Sequence, residues 1–187
     1  MNSKKCNAVL SLLTFITMFV HMGYSAYAYV TFYYNPVLTK AFSIPLAVLT
    51  CLHGVFGMCA LFLKSDGTRA DLYPRKNVRT IIQRISAAMI FPLLILHINT
   101  FSLLQTTSSE GQYLLFWVLI AVQLLFYIVL IVHAALSFSK ALITLGLLRT
   151  AKAQKAIDRV IYCLCGALLA ITSFAVVKGQ LTMFLHI

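Results

Sequence analysis

Charge is scarce in this chain. Of its 187 residues 10% are charged, and 4 acidic residues face 15 Lys and Arg. A soluble domain carries about 25% charged residues, so a water-soluble single domain is excluded. Intrinsic disorder goes with it, because disorder needs low hydrophobicity and this chain is 61% hydrophobic. The patterns of soluble chemistry are missing as well: there is no Walker, Rossmann, HExxH or nucleophile-elbow motif. No Cys-x-x-Cys-His element occurs, which excludes covalent haem attachment. The cysteines (Cys6, Cys51, Cys59, Cys163 and Cys165) are odd in number and lie mostly in apolar stretches, which argues against a disulfide framework. A net charge of +11 would suggest nucleic acid in a soluble protein. In a chain this apolar the basic residues orient it in a membrane instead, and no nucleic-acid partner is expected.

The few charges divide the chain. None falls in 6–39, 41–63, 85–109, 111–139 or 160–177. A bilayer-spanning helix needs about 20 apolar residues, so each window holds one helix. The first, at 34 residues, is too short for two spans and a turn. The expected architecture is an all-α membrane protein, one integral domain over 1–187, with helices near 7–31, 44–63, 83–105, 113–139 and 158–185. The last can run past Lys178, because 179–187 is also uncharged. None of the runs alternates apolar with polar residues as a β-barrel strand does. Asn35-Pro36, Ser65-Asp66-Gly67, Tyr73-Pro74 and Thr107 to Gly111 supply the turns. Lys4-Lys5 before an apolar stretch, with Ala26-Tyr27-Ala28, imitates a signal peptide. The apolar character continues through Val30 and Phe32, so the segment is read as a span.

The basic residues set the orientation. With the N-terminus cytoplasmic, 13 of the 15 lie inside: Lys4, Lys5, Lys64, Arg69, Arg75, Lys76, Arg79, Arg84, Lys140, Arg149, Lys152, Lys155 and Arg159. Only Lys40 and Lys178 fall outside. The positive-inside rule favours this assignment. A basic face of this kind meets lipid phosphate and can also dock a cytoplasmic partner.

Against this background the histidines stand out. His21, His53, His97 and His133 fall one per helix in the first four helices, and His186 is penultimate. An ionisable residue inside a membrane is by default a functional candidate. A single one is about as often a hydrogen bonder between helices, but four near mid-helix point to ligation. Haem iron takes imidazoles on both faces. Adjacent helices, about 8–10 Å apart, leave no room for a porphyrin, whereas diagonal helices of an up-down-up-down bundle are about 1.4 times farther apart. The expected pairs are therefore His21 with His97 and His53 with His133. At 1.5 Å per residue His21 lies about 24 Å above Lys5 and His97 about 20 Å above Arg84. His53 lies about 16 Å above Lys64 and His133 about 10 Å above Lys140. The second pair is thus nearer the cytoplasm. Gly54, Gly57, Gly23, Ser25, Ala134, Ala135 and Ser137 keep the surroundings small, which serves haem clearance and helix packing equally.

Gln83-Arg84-Ile85-Ser86-Ala87 followed by His97 resembles the [HQ]-R-x-S-G element and later histidine of succinate dehydrogenase and fumarate reductase cytochrome b subunits, with Ala87 at the glycine position. His133 to Lys140 resembles the haem-ligating helix that follows it, and five helices with a histidine in each of the first four resemble the dihaem, single-anchor branch. The resemblance implies two haem b groups, His53/His133 proximal and His21/His97 distal. It also implies a quinone substrate, usually menaquinone, with an FAD-containing flavoprotein and an iron–sulfur subunit as cytoplasmic partners. The chain would be the quinone-reactive subunit of an oxidoreductase in a bacterial or archaeal cytoplasmic membrane; succinate chemistry itself would belong to the flavoprotein. Ile131 stands where some dihaem fumarate reductases carry a glutamate, so a proton path there is not expected. A dihaem cytochrome b of another oxidoreductase, such as a formate dehydrogenase or hydrogenase, shares the chemistry and changes the partner.

Other candidates surround the path. Arg84, through its planar fork, and Ser86 can meet a haem propionate or the partner, or can be an anchor and a helix-start serine. Lys140 can pair with a propionate or snorkel. Tyr27, Tyr33, Tyr34 and Asn35 cluster at the outer end of the first helix as quinone candidates or as an interfacial aromatic belt. Glu110 is the one acid expected outside.

Overall fold

The computed structural model describes residues 3–62 and 78–186. Five helices account for nearly all of them: α1 (Ser3–Thr31), α2 (Pro36–Phe62), α3 (Val78–Ser109), α4 (Tyr113–Thr144) and α5 (Ala151–Leu185). Each contains a stretch long and apolar enough to cross a membrane. At 1.5 Å rise per residue, the 32 residues of α4 reach about 48 Å, beyond a hydrocarbon core of about 30 Å.

The expected spans are recovered, but four of the five helices start earlier than the charge-free windows suggest. Charge marks where the hydrocarbon ends; it does not stop a helix that continues into the headgroup layer. α2 begins at Pro36 because Asn35 caps it: the Asn35 Oδ1 accepts from the backbone N–H of Val37 at 3.0 Å and of Leu38 at 3.2 Å. Proline at the first helical position loses only an N–H that has no helical partner. Thr150 caps α5 in the same way, accepting from the Ala153 N–H at 3.2 Å. Between α3 and α4, and between α4 and α5, Gly111 (φ 69°) and Gly146 (φ 77°) take the left-handed conformation that ends a helix at little steric cost. Ser65-Asp66-Gly67 and Tyr73-Pro74 lie outside the described residues.

Around the bundle α2 packs on α1, α1 on α4 and α4 on α3, while α5 sits in the groove between α1 and α4. The diagonal partners α1 and α3, and α2 and α4, do not pack closely. α4 is the centre: Phe116, Ile120, Phe126, Tyr127, Ile131 and Ala135 are buried along it, against α3, α1 and α5. α2 is the opposite case, with no buried residue in its described part. α2 and α3 meet where the Phe91 ring occupies the space a side chain at Gly54 would need.

Lipid is as apolar as leucine, so helix association relies on packing and polar contacts. α5 has several. Arg79 of α3 donates to both Asp158 carboxylate oxygens, at 2.7 and 3.0 Å, and to Ser139 Oγ of α4 at 2.8 Å. Twenty-two positions along α5 from Asp158, the buried Gln180 donates to Gln123 Oε1 at 2.9 Å, and Gln123 donates to the Tyr127 hydroxyl at 2.7 Å. Next to Gln180, the Tyr29 ring lies so close to Gly179 that a Cβ there would stand 2.6 Å from it.

Candidate functional site

The first four helices enclose a cavity of about 640 Å³. His53 reaches it from α2 and His133 from α4. Their ring centroids are 6.2 Å apart, the planes tilted by 57°. The sequence pairing of these two residues is therefore met in space, across a diagonal whose helices do not themselves pack.

His133 is held in one orientation. Its Nδ1 lies 3.0 Å from the carbonyl oxygen of Gln83 and 3.2 Å from Ser86 Oγ. A carbonyl only accepts, so Nδ1 carries the proton and Nε2 keeps its lone pair. Ser86 also donates to the Gln83 carbonyl, at 3.0 Å. Ser86 is buried inside α3, eight positions past Val78, and not at the helix start expected for it. The Gln83 side chain completes the arrangement: it donates to Ser137 Oγ at 2.7 Å and accepts from the Lys140 ammonium. Lys140 donates as well to Thr80 Oγ1 at 3.1 Å. Lys140 is thus engaged inside the bundle and does not snorkel outward. With Lys4 and Arg84 it lines the end of the cavity nearest the basic helix termini.

The other pair is built differently. His97 lies face to face with Phe126, centroids 4.8 Å apart at 28°, and edge-on to Tyr127 at 5.8 Å. The Nδ1 atoms of His21, His53 and His97 are buried without a hydrogen-bond partner, a state that costs free energy unless another group satisfies it.

These donors fit a haem at His53 and His133. Imidazole nitrogens bind metals at about 2 Å, so two imidazoles on opposite sides of one metal have centroids about 6 Å apart. Among the described residues no three His, Cys, Asp or Glu come together as a metal site. A metal held here by two protein ligands would take its other ligands from elsewhere, as a porphyrin supplies them, and Gly57, Ala87 and Ala134 are small residues in the cavity wall. His21 and His97 are half-buried and do not line this cavity.

The residues expected at the other end do not converge. Tyr33 and Tyr34 are 52% and 69% exposed, as in an interfacial belt. Asn35 is committed to capping α2, and its backbone N–H donates to the Tyr24 hydroxyl at 3.3 Å. Glu110 sits in the separate α3–α4 turn, accepting from Gln112 at 2.7 Å. None of the four lines the His53/His133 cavity or a second cavity of about 750 Å³ at that end. The second cavity is walled instead by Gln105, Tyr113, Trp117 and His186.

Phe126, Tyr127 and the Arg79–Asp158 clamp are surroundings that sequence reasoning passed over, and for Gln83 and Ser137 it missed the hydrogen bonds they make. Polar residues at Gln83 and Ser137, one helical turn or so from a basic residue or a histidine, were the available signal. No protein-family model, curated protein or solved structure matches this chain.

Proposed function

We propose that this chain is a dihaem cytochrome b, the membrane anchor of a succinate:quinone oxidoreductase. In this reading it passes electrons between an iron–sulfur subunit and a membrane quinone, menaquinone by resemblance. The observation that carries the reading is the meeting of His53 and His133, 6.2 Å apart across a four-helix cavity, with the His133 Nδ1 proton taken by a carbonyl.

His53 and His133 would hold one haem b, and His21 and His97 the other. When bound, each haem supplies a one-electron Fe(III)/Fe(II) couple. The protein's own part is to orient and insulate. Gln83 and Ser86 hold the His133 ring through Nδ1, and Ser137 Oγ stands 3.4 Å from Nε2, the nitrogen that would face the haem iron. Met18, Ile90 and Leu130 give the cavity apolar walls, while Arg84 and Lys140 put positive charge where propionates would emerge. Placing the basic helix ends in the cytoplasm follows the positive-inside rule and sets the His53/His133 pair on the side of the iron–sulfur and FAD-containing flavoprotein partners. At the opposite end, the cavity walled by Gln105, Tyr113, Trp117 and His186 suits an amphipathic aromatic quinone better than the exposed Tyr33, Tyr34, Asn35 and Glu110. A bacterial or archaeal cytoplasmic membrane is the setting.

The test is a reduced-minus-oxidised spectrum and haem assay of protein purified from its native membrane. Two b-type haems per chain and a co-purifying flavoprotein are expected. One haem or none in a haem-saturated preparation overturns the cytochrome assignment. A molybdenum or nickel protein in place of the flavoprotein moves the same cytochrome to a formate dehydrogenase or hydrogenase.

A further inference from the structure

α5 has two unlike faces. Ile161, Cys165, Thr172 and Val176 are buried against the rest of the bundle. On the other side Lys152, Lys155, Arg159, Cys163, Gly166 and Ala170 follow one another at steps of three or four positions, which places them in one stripe along the helix. All six are exposed. Three cations head the stripe and three small residues continue it.

The described residues bring no acid to these cations. They include two acids, of which Asp158 turns onto Arg79 and Glu110 lies in the α3–α4 turn. Lys152, Lys155 and Arg159 enter no ion pair among the described residues. The positive-inside rule accounts for the end of the bundle at which they lie. It does not account for three of them sharing one lateral face. Nineteen positions separate Arg159 from Lys178, about 28 Å of helix, close to the thickness of the hydrocarbon core. Arg159 thus stands at the edge of the hydrocarbon, with Lys155 and Lys152 about 6 and 10 Å farther out, in the headgroup layer. The stripe faces sideways, in the plane of the membrane, where lipid is the neighbour. Tyr162, 43% exposed, stands at the same boundary, the usual place of an interfacial aromatic.

Gly166 and Ala170 have the spacing that lets a second helix approach closely, and a Cβ at Gly166 would meet nothing within 4 Å. A second copy of this chain related by a two-fold axis would, however, set the same three cations against each other. An acyl chain fits the same shallow groove, and a phosphate supplies the negative charge that the cations lack.

We propose that this stripe of α5 binds an anionic phospholipid from the leaflet at the basic helix ends. Its phosphate sits between Lys155 and Arg159, Lys152 reaches the rest of the head group, and one acyl chain runs over Cys163, Gly166 and Ala170. The lipid holds from outside the turns of α5 that the Arg79–Asp158 pair holds from inside. The site stands apart from the His53/His133 cavity and does not depend on the haem assignment.

The test uses the full chain with its five cysteines replaced, in phosphatidylcholine nanodiscs. A trifluoromethyl tag is read by fluorine NMR at Ala167→Cys, exposed beside the stripe, or at Val55→Cys, exposed on α2. Spin-labelled phosphatidylglycerol or phosphatidylcholine is then titrated in. Phosphatidylglycerol should broaden the Ala167→Cys signal at a mole fraction about tenfold or more below that needed for phosphatidylcholine, while the two lipids act alike at Val55→Cys. A cation at an anionic lipid surface is worth about fivefold in affinity, so Lys152→Gln, Lys155→Gln and Arg159→Gln together should remove the preference. Lys152→Arg and Lys155→Arg with Arg159→Lys should keep it, which separates loss of charge from loss of fold. Lys178→Gln, at the other end of α5, should keep it as well. Equal broadening by the two lipids at Ala167→Cys overturns the site, as does a preference that survives the triple glutamine change or is as large at Val55→Cys. Cross-linking between chains through Ala170→Cys, with the tag shielded from both lipids, gives the stripe to a second copy and overturns it too.

Discussion

The two histidine pairs occupy the same bundle in opposite surroundings. His133 is served by polar groups: a carbonyl and two serines lie within 3.4 Å of its ring nitrogens, and a glutamine and a lysine stand behind them. His97 is served by rings, one across its face and one at its edge. A hydrogen bond to a ligand imidazole raises its basicity and favours the oxidised metal. An apolar, aromatic site gives no such support and favours the less charged, reduced form. The pair nearer the basic helix ends should therefore carry the lower potential and the pair beyond it the higher. In the proposed reading, four identical ligands would make two redox stations that differ only in what touches them.

The strongest way to break this comparison is to remove ligands one at a time. His133→Leu or His53→Leu should abolish one haem and leave the other, halving the haem content; His97→Leu or His21→Leu should abolish the complementary one. If single changes on opposite pairs remove the same spectral component, the pairing is wrong. Asp158→Asn weakens the clamp that fastens α5 to α3 and α4. It should destabilise the apoprotein by about 2 kcal/mol, the scale of a hydrogen bond to a charged group, and shift neither potential relative to the other. Tyr127→Phe keeps the ring against His97 but leaves Gln123 without its acceptor. The cost is about 1–2 kcal/mol of stability, with a spectral shift confined to the higher-potential haem. Ser86→Ala removes one hydroxyl from His133 and should move only the lower-potential haem, by a few tens of millivolts, since a tenfold change is about 59 mV for one electron. At the bottom of the scale, Tyr33→Phe and Tyr34→Phe should change neither redox titration, as befits side chains in the headgroup layer.

The five helices were legible because charge is so rare that its positions punctuate the chain. The closeness of His53 and His133 was legible because an up-down bundle fixes which helices stand opposite. The near environment of each ligand was not. Gln83 donates and accepts through one amide, and its role depends on the turn of α3 bringing it opposite both Ser137 and Lys140; no spacing rule carries that. Gln123 and Gln180 lie 57 positions apart on different helices and are uncharged, so an inventory of charges passes over them. Asn35 was read as a possible ligand-site residue because it sits among tyrosines, while its side chain serves the backbone of α2. That α2 has no buried residue in its described part was equally hidden, since its apolar pattern is like that of its neighbours.

The two polar fastenings of α5 also act as a ruler. Asp158 and Gln180 are separated by 22 positions, about 33 Å of helix. A smooth apolar helix in lipid can rotate or slip by a turn at little cost, and each fastening alone would tolerate some of either. Both can be made together only at one rotation and one depth, so α5 checks the spacing of the helices that precede it in the chain.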